Sequence, residues 1–208
     1  KKVAVLHDKQ SYGQGIAASV RDELKKANVE VALFEGINAG DSDYSAVITK
    51  LKSAGADFVY YGGYHPEMGL LLRQAAEQGL KVRMMGPEGV GNPEINAIAG
   101  NAVEGMLVTL PADPASKPEN AALVKAFKDK GRDPSGAFQM GAYTATQVLA
   151  QSIKAVGDDA EKVADYLHKT AFNMPTGNVA WDAKGDLKAF DFPVYSWHKD
   201  GSKSVAEK

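Results

Sequence analysis

The first 110 residues repeat one unit, a short apolar run followed by a stretch whose apolar residues recur at helical spacing. Such alternation leaves a chain few choices. A short apolar run reads as a buried strand, and the helical period that follows reads as a helix packed on it. Val3-Ala4-Val5-Leu6 is the first run, after which Ile16, Val20 and Leu24 line one helical face. Val29 to Phe34 precedes a helix through Val47, Ile48 and Leu51, and Phe58-Val59-Tyr60-Tyr61 precedes one carrying Met68, Leu71, Leu72 and Ala75. Val82 to Met85 is the fourth strand, with a short helix after Pro93 through Ile95 and Ile98, and Met106-Leu107-Val108 is the fifth. The alternation predicts an α/β fold with a doubly wound, mainly parallel sheet. In such sheets ligands gather at the carboxyl ends of the strands, where loops and helix N-termini converge.

The pattern breaks at Leu110-Pro111-Ala112-Asp113-Pro114-Ala115-Ser116-Lys117-Pro118, where the closely spaced prolines cannot continue a regular element. This segment reads as a crossing between lobes. Helices follow around Leu123 to Lys130, from about Gly136 to Val156 and around Lys162 to His168, with no strand between them. Helices without strands of their own need a partner sheet built from residues elsewhere. Strand character returns with Gly177 to Trp181, a turn at Asp182-Ala183-Lys184-Gly185-Asp186, and the run Phe190, Phe192, Val194, Tyr195 and Trp197. The tail after Gly201 is expected to fray.

Composition narrows the function classes. A charged share of 24% and a net charge of -2 give no basic excess for nucleic acid or an anionic membrane. Without cysteine there is no disulfide, thiolate metal site or cysteine nucleophile within these residues. No apolar run approaches the roughly 18 residues of a membrane span, and Lys1-Lys2-Val3 leads straight into a strand. A mature or truncated soluble chain is expected.

Several motifs bear on chemistry. Gly13-Gln14-Gly15-Ile16-Ala17-Ala18 fits the dinucleotide fingerprint, with Glu35 near the expected acidic position. The six residues His7 to Tyr12 separate Gly13 from the strand end, however, whereas a phosphate loop needs its first glycine tight against it. Glycines opening a helix is the reading preferred here. No Gly-x-Ser-x-Gly elbow is present, and none of His7, His65, His168 and His198 has the spacing of a metal pair on one helix. Each is assigned a surface or hydrogen-bonding role. Glu88 follows a strand within Gly86-Pro87-Glu88-Gly89, where a carboxylate can hold an ammonium by a charge-assisted hydrogen bond. The same position equally suits a solvent-exposed turn acid. Tyr64 and Tyr12 occupy the equivalent edge after two other strands, and a phenol can donate to a carboxylate while its ring packs on aliphatic carbon. For either tyrosine taken singly, plain packing is the favoured reading.

Around these residues longer strings stand out: His7-Asp8-Lys9-Gln10-Ser11-Tyr12-Gly13, Asp57 through Gly69, and Met85-Gly86-Pro87-Glu88-Gly89-Val90. With Ala102 to Thr109, Asp133-Pro134-Ser135-Gly136-Ala137-Phe138 and Trp181 to Lys188, they closely resemble the leucine/isoleucine/valine-binding proteins of bacterial ABC importers, which are type I periplasmic binding proteins. The resemblance spans nearly the whole chain. It implies two α/β lobes joined by three crossings, with residues 1 to 110 and 189 to 208 in the C-terminal lobe and 111 to 188 in part of the N-terminal lobe. It also implies that Glu88 takes the ligand ammonium, that Tyr64 donates to its carboxylate, and that Tyr12 and Phe138 shape the side-chain pocket.

The resemblance further implies non-catalytic, cofactor-free binding of leucine, isoleucine or valine, with alanine and threonine as further candidates, in the periplasm for a membrane permease. The family's first-lobe sheet segment has no counterpart in this sequence. A separate piece carrying that segment, or a second copy, is expected to cover the orphan helices. Two other readings stand beside this one. One is a dinucleotide-dependent enzyme using Gly13, Gly15 and Glu35, and the other is a ligand sensor of the same fold.

Overall fold

The computed structural model describes residues 2–134, 136, 138–189 and 191–206. It falls into two compact units, Lys1–Leu110 with Pro193–Lys208 and Pro111–Phe192. The first boundary lies at the proline-rich break. The second lies at Pro193, against the expected change at residue 189.

In the first unit the elements run β1 (Val3–His7), α1 (Ser11–Lys26), β2 (Val31–Gly36), α2 (Ser45–Ala54), β3 (Phe58–Gly62), α3 (His65–Glu77), β4 (Arg83–Gly86), α4 (Ile95–Ala99) and β5 (Leu107–Thr109). All five residues of β1 are buried, which fits a strand paired on both sides and covered on both faces. Ile16, Val20 and Leu24 of α1 pack on a cluster of Val3, Val5 and Tyr60, so the helical spacing meets the strand it follows. Gly55, in the left-handed region at φ 66°, ends α2 and turns the chain toward β3.

The chain re-enters this unit near its end to add two strands. These are β8 (Val194–Trp197) and β9 (Lys203–Val205), which follow β6 (Phe172–Met174) and β7 (Gly177–Val179) of the second unit in chain order. The sheet order is β2-β1-β3-β4-β5-β8-β9. The strands β1 to β5 pair in parallel, β8 pairs antiparallel to β5, and β9 antiparallel to β8. The tail expected to fray is therefore a strand beyond Ser202. Its polar residues carry no apolar pattern, and pairing with β8 orders them.

Some boundaries also differ from expectation. β2 starts at Val31 rather than Val29, β4 at Arg83 rather than Val82, and β5 at Leu107 rather than Met106. An apolar run marks burial, whereas a strand is bounded by the backbone groups that find partners. Of the predicted final run, Phe192 lies before the strand and Phe190 outside the described residues.

The second unit contains α5 (Ala121–Lys128), α6 (Gln139–Val156), α7 (Ala160–Lys169), β6 (Phe172–Met174) and β7 (Gly177–Val179). The β6–β7 pair is an antiparallel hairpin, and Trp181 bridges to Leu187 beyond it. Phe172 is buried there, with the rings of Tyr166 and Trp181 each 6.1 Å away at edge-on angles.

Candidate ligand-binding site

The register brings three strand ends to one line, because His7 lies opposite Gly36 on one side and Gly62 on the other. The order 2-1-3-4-5 reverses direction between β1 and β3, which makes this edge a topological switch point where successive loops part and leave a crevice. Tyr12 follows β1, Tyr64 follows β3 and Glu88 follows β4. Sequence positions far apart thus share one edge.

The structure brings these three together. Tyr12, in the first turn of α1, receives the Gly89 N–H on its hydroxyl oxygen at 3.3 Å. The Tyr12 and Tyr64 ring centres are 5.3 Å apart at 32°, an ordinary offset aromatic pair. Tyr64 stands just before α3 and is 44% exposed. Glu88 opens a 3-10 turn, Glu88–Val90, closed by Gly91 N–H donating to the Glu88 carbonyl. Among the described residues no hydrogen bond or ion pair is made by the Glu88 carboxylate. Burial pushes the Tyr12 phenol up, and the Glu88 charge pushes it the same way, while the Gly89 hydrogen bond acts against both. Tyr12 is a neutral phenol at physiological pH.

Two residues were missed in the sequence reading. A β-carbon at Gly89 would lie 2.7 Å from the Gly63 carbonyl oxygen, 3.1 Å from Tyr12 Cε1 and 3.2 Å from Tyr64 Cδ1, so only glycine lets the loops close on the ring pair. Its signal was the second glycine of Gly86-Pro87-Glu88-Gly89. Asp8 is 2% exposed, and its Oδ1 accepts the Gln10 N–H at 2.9 Å, which shapes the turn leading to Tyr12. Lys9, at φ 61°, takes the left-handed conformation that this turn requires. His65, next to Tyr64, pairs with Glu94 at 3.3 Å and ties the turn after β3 to the segment after β4.

The dinucleotide reading fails on geometry. Gly13 lies inside α1 rather than in a phosphate loop, and a β-carbon there would collide with the Gly62 carbonyl and the Asp8 carboxylate. It is the point where α1 crosses β3. Gly15 faces open space, and Glu35 pairs with Lys50 at 2.9 Å. The motif is a close helix–strand contact followed by an exposed helical glycine.

The remaining candidates take ordinary partners. His7 is buried, which pushes its pKa down, and its Nδ1 accepts the Lys9 N–H at 3.1 Å. His168 bonds the Asp182 carbonyl, and His198 bonds Glu104 and Ser204. Phe138 lies in the second unit, at the residue preceding α6, and is 51% exposed. Its neighbours Ser135 and Ala137 lie outside the described residues. Two open grooves occur in the second unit, one lined by Val124, Lys128, Arg132 and Pro134, the other by His168, Trp181 and Asp182. Neither includes a predicted site residue.

Two tyrosines and a carboxylate thus stand at the switch point of a parallel α/β sheet, the place where folds of this class bind small ligands. Residues 1–202 match the family described as periplasmic binding protein, and the chain belongs to that family. It is 58% identical over 205 residues to a leucine-, isoleucine-, valine-, threonine- and alanine-binding protein of Pseudomonas aeruginosa, covering 98% of this chain and 55% of the relative. It is 47% identical over 207 residues to the Leu/Ile/Val-binding protein of Escherichia coli, covering 100% of this chain and 56% of the relative. The chain thus spans about half the length of these relatives.

Among solved structures, a leucine-binding protein from Thermotoga maritima superposes with a TM-score of 0.88 at 30% identity, covering 100% of this chain and 60% of that one. A branched-chain amino acid transporter substrate-binding protein from Streptococcus pneumoniae, in complex with isoleucine, superposes with a TM-score of 0.81 at 25% identity, covering 99% and 59%. The fold is the type I periplasmic-binding-protein fold.

Proposed function

We propose that this chain forms part of a non-catalytic binding protein for branched-chain aliphatic amino acids, leucine, isoleucine and valine, with alanine and threonine in the same range. The observation that carries the reading is the convergence of Tyr12, Tyr64 and Glu88 at one sheet edge, with the Glu88 carboxylate making no pair among the described residues. A carboxylate there suits an ammonium, and a phenol beside it suits a carboxylate. In this reading Glu88 takes the ammonium, Tyr64 donates to the carboxylate, and Tyr12 and Phe138 shape the side-chain wall. The names of the relatives support this choice of ligand.

The place of action proposed is the periplasm, and the partner a membrane permease of an ABC importer. Among the described residues no helix is long and apolar enough to cross a membrane. In family terms, the unit Lys1–Leu110 with Pro193–Lys208 is read as the C-terminal lobe and Pro111–Phe192 as part of the N-terminal lobe. Leu149 and Ile153 are 48% and 46% exposed on α6. We propose that chain of the kind the longer relatives carry, as a separate piece, or a second copy covers them. Intact mass spectrometry with size measurement tests this, and a lone monomeric chain overturns it.

Calorimetry of the full-length protein against the amino acids tests the site. Glu88→Gln keeps the shape and removes the charge, and it is expected to weaken binding at least about tenfold, or about 1.5 to 3 kcal/mol, as a charged hydrogen bond is lost. Unchanged affinity removes Glu88 from the site.

A further inference from the structure

A phenol has one donor and two lone pairs. At Tyr12 the Gly89 N–H occupies one lone pair, and among the described residues nothing engages the hydroxyl proton or the second lone pair. The group is also held in place. Its ring packs against Tyr64, and Gly89 leaves only the space of a hydrogen between the Gly63 carbonyl and the two rings. The result is a fixed, half-satisfied hydroxyl set in an aromatic wall.

Such a hydroxyl treats two kinds of ligand side chain differently from a purely apolar wall. Against an aliphatic group it keeps its Gly89 bond, so its own burial leaves no fully orphaned oxygen. Against a hydroxyl it can donate or accept, and it supplies the partner that a buried hydroxyl otherwise lacks. An apolar wall binds the aliphatic side chain as well but leaves the ligand hydroxyl unpaired.

We propose that the Tyr12 hydroxyl, held by the Gly89 N–H, is the group that admits a hydroxyl-bearing side chain, such as that of threonine, alongside its aliphatic counterparts. The inference rests on the reading above, in which Tyr12 lines the side-chain wall of an amino-acid site. Valine and threonine make the test sharp, because they match in shape and differ in a methyl against a hydroxyl. Discrimination between them therefore reports hydrogen bonding rather than fit.

The experiment is calorimetry of full-length wild type and Tyr12→Phe with valine and with threonine, with circular dichroism to confirm that the near-isosteric variant folds. The variant is expected to weaken threonine about fivefold or more while valine stays within about twofold, the size of one neutral hydrogen bond. Equal losses for the two ligands overturn the proposal and assign Tyr12 to the amino-acid head they share. Unchanged threonine affinity overturns it as well. A wild type that binds valine but not threonine overturns this inference and leaves the functional reading standing, whereas one that binds no aliphatic amino acid overturns both.

Discussion

The two units handle their apolar residues in opposite ways. In the first, β1 is buried throughout, and α3 buries seven of its 13 residues, including Met68, Leu71, Leu72 and Ala75. In the second, α5 and α7 bury none, and α6 buries Met140, Thr144, Val148 and Ser152 while Leu149 and Ile153 stand exposed on the adjoining face. Both units have amphipathic helices. Only the first has a seven-stranded sheet for them to cover, since the second is described with a two-stranded hairpin. A helical stripe states a demand for a partner and cannot supply it, and a lone hairpin is too small a surface to meet it.

Substitutions in the two units test that contrast. The largest effect is expected for Leu71→Ala, which leaves a cavity in the first unit and should cost about 2 to 5 kcal/mol in urea unfolding of the 208-residue chain. Next comes Gly13→Ala, which sets a methyl against the Gly62 carbonyl and should cost about 1 to 3 kcal/mol. Gly15→Ala, two residues on in the same helix but in open space, should instead stabilise by about 0.5 to 1 kcal/mol. Like signs for the two alanines would overturn the close-contact account of the Gly13 motif.

A smaller effect depends on pH. Hydrogen bonds from His198 and from the Lys199 N–H hold the Glu104 carboxyl below its usual 4.5, which ties the start of the β8–β9 turn to the segment before β5. A carboxyl lowered on folding contributes stability that is fully present above its unfolded value and is lost as pH falls through the folded one. Glu104→Gln should therefore flatten the loss of stability measured below pH 4.5, and an unchanged acid profile would argue against the tie. The smallest effect is expected for Leu149→Ala in the monomeric chain freed of any covering piece, within about 0.5 kcal/mol for an exposed site. A loss rivalling that of Leu71→Ala would show that the stripe is already covered.

Much of the first unit was legible in the sequence, because buried parallel strands are continuous apolar runs and their helices keep a helical period. Val3 to Leu6 with Ile16, Val20 and Leu24 needed no tertiary information to be recognised as strand and helix. Phe172–Met174 and Lys203–Val205 were not legible, since neither is a continuous apolar run like the Met106-Leu107-Val108 that marks the equally short β5. At the site, strand-end position picked out Tyr12, Tyr64 and Glu88. It did not reveal Gly89 or Asp8, whose roles consist of what they touch. The proximity of Gly89 to Tyr12 crosses 77 positions.

Local pattern was enough to mark most strands and helices of the first unit and to place Tyr12, Tyr64 and Glu88 after strand ends, because both follow from apolar period and chain direction. The tertiary structure alone decided the order β2-β1-β3-β4-β5, and with it the edge where Tyr12, Tyr64 and Glu88 meet. It also turned a nucleotide-like glycine pattern into a helix–strand contact. Which strands become neighbours, and which backbone approaches which, are properties of chain segments distant in sequence, so no local pattern encodes them.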